Sequence, residues 1–366
     1  MLRVKNEAYV DLLSVEGLGQ TRIARLMEIL GSAEEIFARS KAELTQAGVP
    51  QKIAARIASY SRSKEAADDL KCMERCGAKI ITILDDDYPL LLKSSPQPPA
   101  VLFVRGELRA EEKLVVAMVG TRTPTGYGRA AAERLARELG ARGVVIVSGA
   151  ARGIDSLAHK GCLSAGGRTI AVLGCGIDIS YPPENAELFD RIATQGAVIT
   201  EFLPGVIPAP GLFPRRNRII AWLSHGVVAV EAGPRSGALI TARWAADAGR
   251  DVFAIPGGIF SEQSAGTNRL LRDGAKLVSR VEDILEEYAA VYQPVSVEGT
   301  QDMPDDSALS DEEKRIYRLL GPEPIHVDNL VDRLGIPSAQ LLTTLLNMEL
   351  KGVIKQLPGM RFVRVL

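Results

Sequence analysis

Between residue 5 and about residue 75, apolar and charged positions recur at helical spacing with almost no strand-like runs, which predicts a small bundle of helices. From about 80 to 288 the texture changes. Short apolar runs alternate with amphipathic stretches, the pattern of a parallel sheet covered by helices on both faces. The predicted strands are Leu114 to Val119, Val144 to Ser148, Thr169 to Gly174, Ala197 to Thr200, Gly226 to Glu231 and Asp251 to Pro256. They are rich in Val and Ile and lack polar alternation, as strands buried on both faces should be. The text AAVYQPVSVEGTQDMPDDSAL from 289 to 309 loses periodicity and gains Pro, Asp and Ser, so it reads as a linker. The expected organisation is a helical domain over 1–78, an α/β core over 79–288, the linker over 289–309 and a further domain over 310–366.

The last segment predicts a helix over Ser310 to Leu320, a second over Val327 to Leu334 and the turn Gly335-Ile336-Pro337. A third helix capped by Ser338 runs to about Lys351, and a hairpin joins Val353 to Leu357 with Arg361 to Val365 around Pro358-Gly359. This is the plan of a winged helix. Its third helix, SAQLLTTLLNMEL, carries no cation before Lys351, and residues 308 to 366 hold eight Lys or Arg against seven Asp or Glu. Phosphate neutralisation dominates the affinity of such modules, so a protein-contact surface is favoured over a weak DNA contact.

Charge and composition narrow the class. The 366 residues are 46% hydrophobic, enough for two or three folded units. Lys and Arg number 44 against 45 Asp and Glu, a net charge of -1, so any anionic partner must be held by local basic clusters. No apolar run approaches the ~20 residues that span a bilayer, and the N-terminus lacks a secretory pattern. Cys72, Cys76, Cys162 and Cys175 are too scattered for a disulfide framework, so a reducing cytoplasm is the expected setting and no membrane partner is expected. Cys72 and Cys76 lie one helical turn apart but lack further ligands nearby; they read as packing cysteines, and no metal site is expected.

The chemistry concentrates in loops that follow the predicted strands, where a doubly wound sheet places its ligand crevice. The first is Gly120-Thr121-Arg122-Thr123-Pro124-Thr125-Gly126-Tyr127-Gly128, ahead of a helix from about Arg129 to Arg142. Glycines admit backbone amides close to a ligand, a helix N-terminus favours an anion, and Arg122 offers a two-pronged phosphate donor. The second is Ser148-Gly149-Ala150-Ala151-Arg152-Gly153-Ile154-Asp155. Either loop alone could be a tight strand-to-helix turn; two adjacent cradles suit a polynucleotide backbone better than one phosphate. In Phe213-Pro214-Arg215-Arg216-Asn217-Arg218-Ile219-Ile220, three cations flank an aromatic, the combination that builds sequence-tolerant single-strand binding by stacking and phosphate contact. The alternatives are that Phe213 anchors the core and that one or more arginines pair with Glu201 or Glu231. A fourth loop, Pro234 to Ala242, has Ser236 as a predicted N-cap followed by Gly237.

Neither Gly-x-Gly-x-x-Gly nor a glycine-rich loop ending in Gly-Lys-Ser or Gly-Lys-Thr is present, so a dinucleotide or P-loop site is disfavoured and no cofactor is expected. Val15-Glu16-Gly17-Leu18-Gly19, ahead of Arg22 and Arg25, resembles the turn of a helix-hairpin-helix or SAM-like element, although two glycines also simply join packed helices. His159 follows Asp155 by one helical turn, but no nucleophile or metal-ligand set accompanies the pair; a structural hydrogen bond is favoured over general-base work.

From about Tyr88 to Val278 the chain resembles the DNA-processing protein A (DprA/Smf) family. The resemblance rests on Tyr88-Pro89, Gly120-Thr121-Arg122 with Tyr127-Gly128, the Ser148 to Asp155 run with Ala158-His159, and Thr169 to Gly176 leading to Tyr181-Pro182. Phe213 to Ile220, Ser236 to Ala242 and Ala254 to Gly257 follow in the family's order. It implies an extended Rossmann-like fold that binds single-stranded DNA without catalysis, usually as a homodimer. It also implies protection of incoming DNA and its transfer to a RecA-class recombinase during transformation. The DNA-facing residues expected on these grounds are Gly120, Thr121, Arg122, Ser148, Gly149, Ala150, Arg152, Gly153, Phe213, Arg215, Arg216, Asn217, Arg218, Ser236 and Gly237. One departure matters: after Tyr181-Pro182 some relatives place a DNA-contacting lysine, where this chain has Pro183-Glu184-Asn185, so no phosphate contact is expected from that loop. The competing reading is a nucleotide hydrolase of the lysine-decarboxylase-like Rossmann fold. Those enzymes carry Pro-Gly-Gly-x-Gly-Thr before a catalytic Glu, whereas here Pro256-Gly257-Gly258 runs into Ile259-Phe260.

Overall fold

The computed structural model describes residues 2–293, 309–321, 324–351 and 353–364, so most of the predicted linker and the last residues of the predicted hairpin lie outside the described residues. The chain divides into two units, Met1–Val295 and Ser296–Leu366.

The first unit opens with six helices: α1 (Leu2–Ser14), α2 (Gln20–Leu30), α3 (Ala33–Phe37), α4 (Lys41–Gln46), α5 (Gln51–Ala58) and α6 (Lys64–Cys76). Ser32 and Ser40 cap α3 and α4 through capping boxes closed by Glu35 and Glu43, each satisfying two backbone amides reciprocally. There follow β1 (Lys79–Thr82), α7 (Leu90–Lys93), β2 (Val101–Gly106), β3 (Val115–Val119), α8 (Gly126–Ala141), β4 (Val145–Ser148), α9 (Ile154–Ser164) and β5 (Thr169–Val172). The unit continues through α10 (Ala186–Gln195), β6 (Ala197–Thr200), α11 (Leu212–Trp222), β7 (Gly226–Ala229), α12 (Gly237–Asp247), β8 (Asp251–Ala254), α13 (Ala265–Arg272), β9 (Lys276–Leu277) and α14 (Glu282–Leu285).

The strands form one sheet in the order β1-β2-β6-β5-β4-β3-β7-β8-β9. From β6 to β9 every pairing is parallel, as expected for the six predicted strands, while β2 pairs antiparallel with both β6 and β1 at one end of the sheet. β1 and β2 were not among the predicted strands, although Ile80-Ile81-Thr82 and Val101-Leu102-Phe103-Val104 are β-branched or apolar runs of the same kind. Strand β3 shows why the core strands read as unbroken apolar runs. Val115, Ala117 and Val119 bury into one cluster, while Leu114, Val116 and Met118 bury into another on the opposite face. The first cluster runs on into the helical segment through Tyr9, Leu12, Ile23 and Met27.

One polar residue ties the helices to the sheet. Gln20, buried at the first turn of α2, donates from Nε2 to the Val101 and Glu201 carbonyls at 3.1 and 2.9 Å and accepts the Val101 amide at 3.1 Å. At the other end, Tyr292 lies within the residues read as linker but is buried against α8, its hydroxyl 2.5 Å from the Arg142 carbonyl.

The second unit contains α15 (Asp311–Leu319), β10 (Ile325–His326), α16 (Val327–Leu334), α17 (Ser338–Leu350), β11 (Ile354–Leu357) and β12 (Arg361–Arg364). Its antiparallel sheet, ordered β10-β12-β11, with the three helices makes a winged helix. Ser310 caps α15 in a capping box with Glu313. Ser338 does not cap α17 as expected: Pro337 occupies the cap position without a side-chain bond, and Ser338 is the first helical residue. Leu341, Leu345 and Met348 of α17 fill the core of this unit. Among the described residues no helix is long and apolar enough to cross a membrane.

Candidate nucleic-acid interface

Strand order sets the location of the site. β3 is flanked by β4 on one side and by β7 on the other, so the loops leaving these strands diverge and open a crevice at their carboxyl ends. Buried Glu231, two residues after β7, draws the loops together. Its carbonyl accepts the Thr121 amide at 2.7 Å, and its carboxylate accepts the Thr125 amide and hydroxyl at 2.9 and 2.5 Å. Thr125 then caps α8 by accepting the Gly128 amide at 3.1 Å, and a Cβ on Gly128 would stand 2.1 Å from the Glu231 carboxylate.

Apart from Gly126, beside which nothing lies within 4 Å, the glycines of the first two loops admit protein rather than ligand. A Cβ on Gly120 would meet Ile154 at 2.5 Å. At Gly153, where φ is +79°, it would meet the Thr121 carbonyl at 2.3 Å. On Gly149 it would meet the Arg216 guanidinium at 2.2 Å. Ser148 is corrected as a DNA contact: it is fully buried and its hydroxyl donates to the Met118 carbonyl at 2.6 Å. Ala150 is likewise buried at φ 51°, its carbonyl taken by Asn185 Nδ2 at 2.9 Å.

Arg216 is the larger correction. It is only 3% exposed, donating from Nη1 to the Gly149 carbonyl at 2.6 Å and also to the Val172 carbonyl. Asp155, buried beside it, supplies the counter-charge. Burial lowers the guanidinium to about 10, against the opposing pull of Asp155, so it stays charged near neutrality. Burial also raises the Asp155 carboxyl, against the pull of Arg216 and of the Ala151 and Gly149 amides. Arg216 therefore bolts the loop after β4 and the end of β5 to α11 and does not face outward. Arg218 is corrected in the same sense, its guanidinium held by Glu201 Oε2 at 2.5 Å and by the Gln97 carbonyl at 2.6 Å.

His159 is fully buried and its Nδ1 lies 2.7 Å from Thr169 Oγ1, whose own proton goes to the Ile146 carbonyl. Burial lowers its pKa to about 3 and leaves it neutral. The structural hydrogen bond anticipated for it is thus made to Thr169, not to Asp155.

What remains on the surface is a smaller set. Phe213, in the first turn of α11, packs its ring 5.7 Å from Tyr181 and against Gly174, where a Cβ would stand 2.8 Å away. Exposed Arg122 lies over that ring at 5.3 Å. Exposed Arg215 lies 5.2 Å over Phe202. Asn217 spans Arg216 Nε at 3.2 Å and the Gly237 carbonyl at 3.3 Å, and Ser236 caps α12 by accepting the Ala238 amide at 3.3 Å. Arg152 is exposed but forms a two-pronged pair with Glu184 at 2.5 and 3.0 Å, so this loop engages a neighbouring cation. Among the described residues, Arg122, Arg215 and Arg235 form no salt bridge. Arg235 and Tyr181 were not among the residues expected to face DNA; Arg235 was legible as a cation just ahead of an N-cap, whereas the packing of Tyr181 against Phe213 depends on tertiary structure.

Comparison with known proteins agrees with this architecture. Residues 79–289 match the family model described as DNA recombination-mediator protein A, and residues 300–360 match the DprA winged helix domain. The chain is 36% identical to Protein Smf of Escherichia coli over 359 residues, covering 97% of this chain and 95% of that protein. The X-ray structure of DNA processing protein A from Streptococcus pneumoniae is similar at a TM-score of 0.66 and 34% identity, covering 77% of this chain and 97% of that one. A structure of the Helicobacter pylori protein, concerned with its single-stranded DNA binding mode, gives a TM-score of 0.52 at 31% identity, covering 58% of this chain and 97% of that one.

Proposed function

The chain belongs to the DNA recombination-mediator protein A (DprA/Smf) family, and on that premise we propose that it binds single-stranded DNA in the crevice at the carboxyl ends of β3, β4, β5 and β7. The observation that carries the reading is the stack of Arg122 on Phe213 on Tyr181: an uncompensated cation over a supported aromatic. A strand can lay phosphates against Arg122 and Arg235 while its bases stack at half-buried Phe213. Thr121, Ser236, Gly237 and the glycines 120, 149 and 153 shape the walls, and Arg216, Asn217 and Arg218 hold them in place. Affinity then comes from phosphates and stacking, with little sequence readout.

The protein acts here as a binding module and not as an enzyme. The acid–base pair that invites a hydrolytic reading is spent on structure: Asp155 opposes Arg216, and His159 is neutral and bonded to Thr169. The downstream role is delivery of the strand to a RecA-class recombinase, by a homodimer in the cytoplasm, during transformation and recombination. The winged helix, whose α17 carries Glu349 and no cation before Lys351, fits a protein-contact role better than groove binding.

The test is fluorescence anisotropy of oligo-dT across a salt series. Wild type should bind with a salt-dependent constant. Arg122→Ala should bind more weakly, with a log–log slope shallower by about 0.7, the value for one single-strand phosphate contact. Absence of salt-dependent binding by folded wild-type protein would refute the reading.

A further inference from the structure

A cleft of about 690 Å³ lies where the helical segment meets the sheet, bounded by α2, the 47–49 turn, the 201 loop, α11 and α12. Its size falls within the roughly 300–1,000 Å³ of sites that enclose small ligands. Arg22 and Arg25 line one wall, Arg215 and Arg218 the other, with Trp244 and Ile240 on α12 between them. Glu201 is the only carboxylate among the lining residues, and Arg218 already occupies it. Arg22 donates to the Gly17 carbonyl at 2.8 Å and forms no salt bridge, Arg25 is an exposed cation without one, and exposed Arg215 shares the field of Glu201 with Arg218. The cleft thus gathers four guanidinium groups against one carboxylate, beside an indole. The Gln20 hydrogen bonds to Val101 and Glu201 fix one wall against the other, so the charges are held together rather than brought together on binding.

We propose that this cleft is a nucleotide-binding site, with Arg22, Arg25 and Arg215 holding a phosphate and Trp244 with Ile240 receiving the base. Guanidinium groups suit phosphate because their paired N–H donors match two phosphate oxygens, and an aromatic wall accepts any base through its π-face. The nucleotide has two sources: a residue of the same single strand, or a free nucleoside monophosphate. The fold joins the cleft to the DNA crevice. Phe213 faces Arg122 on one side of the first turn of α11, and Arg215, two residues later and so roughly 200° round the helix, faces the cleft. The geometry of the cleft stands apart from the reading of the crevice, and the experiment separates them.

The chain has two tryptophans, and both report here: Trp222 is 1% exposed, and Trp244, ring to ring with it at 5.5 Å, lines the cleft. Full-length protein is titrated with thymidine monophosphate, with inorganic phosphate as control, and with an oligo-dT longer than the roughly 4–16 nucleotide footprint of single-strand sites. The expected result is a saturable change in tryptophan emission that Trp244→Phe abolishes. Arg22→Ala with Arg25→Ala should weaken oligo-dT binding about tenfold, with a salt slope shallower by about 1.4 for two phosphate contacts. Arg25→Glu alone, at an exposed position without a partner, repeats the test where loss of the Arg22 bond to Gly17 disturbs the turn. Competition between the two ligands assigns the cleft to the strand; a nucleotide signal that oligo-dT leaves unchanged assigns it to a free nucleotide. The proposal is overturned if neither ligand changes the emission and both sets of variants bind oligo-dT as wild type does while Arg122→Ala binds weakly. If oligo-dT fails to bind but thymidine monophosphate gives the Trp244 signal, the crevice reading falls and the cleft stands.

Discussion

Replacing Arg216 separates a structural arginine from a DNA-contacting one. In Arg216→Met the Gly149 and Val172 carbonyls lose their donor, and Asp155 is left buried without its counter-charge. Breaking a buried pair by removing one member costs about 3–5 kcal/mol, because the remaining charge has neither water nor partner. At ~2–4 °C per kcal/mol for a domain of this scale, the unfolding midpoint should fall by roughly 10 °C. Differential scanning fluorimetry on the two tryptophans measures it directly. The pH dependence supplies a second signature. Without Arg216 the Asp155 carboxyl rises further above its unfolded value, so the folded state binds the extra proton. Its contribution is then fully present below the unfolded pKa and is lost as pH rises through the folded one. The deficit of Arg216→Met should therefore narrow as pH falls from neutrality toward about 4. Adding Asp155→Asn should recover about 1 kcal/mol or more at neutral pH. An Arg216→Met protein that melts within 2 °C of wild type yet fails to bind oligo-dT would refute the reasoning and return Arg216 to the DNA.

Gly149→Ala should destabilise by about 1–3 kcal/mol in chemical denaturation, since the new Cβ would lie 2.2 Å from a guanidinium that two carbonyls hold still. Phe213→Ala should weaken oligo-dT binding by about 1–3 kcal/mol in anisotropy, the worth of one base stack. His159, lowered to about 3, is protonated in the unfolded chain but not in the folded one between that value and its ordinary ~6.5. It therefore contributes stability above ~6.5 that is lost on acidification, at up to about 1.4 kcal/mol per pH unit. His159→Asn should flatten the stability–pH curve across that window relative to wild type, and an unchanged slope in denaturation at stepped pH would count against a buried neutral imidazole.

The sequence by itself determined the order of the elements and the region of the site. Runs of Val and Ile marked β3 to β8 because a strand buried on both faces has no polar positions to confuse the pattern. The capping box at Ser310 and the glycine turn at Gly335 marked the winged helix, and small-residue loops with arginine marked the crevice. Tertiary structure alone decided which arginines are free. Arg215 and Arg216 are neighbours of the same type, and the helical step of ~100° turns one to solvent and the other into the carbonyls of Gly149 and Val172, which lie 67 and 44 residues away in the chain. Nothing local distinguishes them. The same holds for Arg218, whose partners Gln97 and Glu201 come from other elements, and for Ser148, a hydroxyl that reads as a phosphate donor until β3 takes it. The cleft under α2 depends likewise on contacts remote in sequence, with Gln20 reaching residues 81 and 181 positions away. Periodicity records only whether a side chain is apolar. Whether a charged one is spent or available depends on partners that folding brings to it.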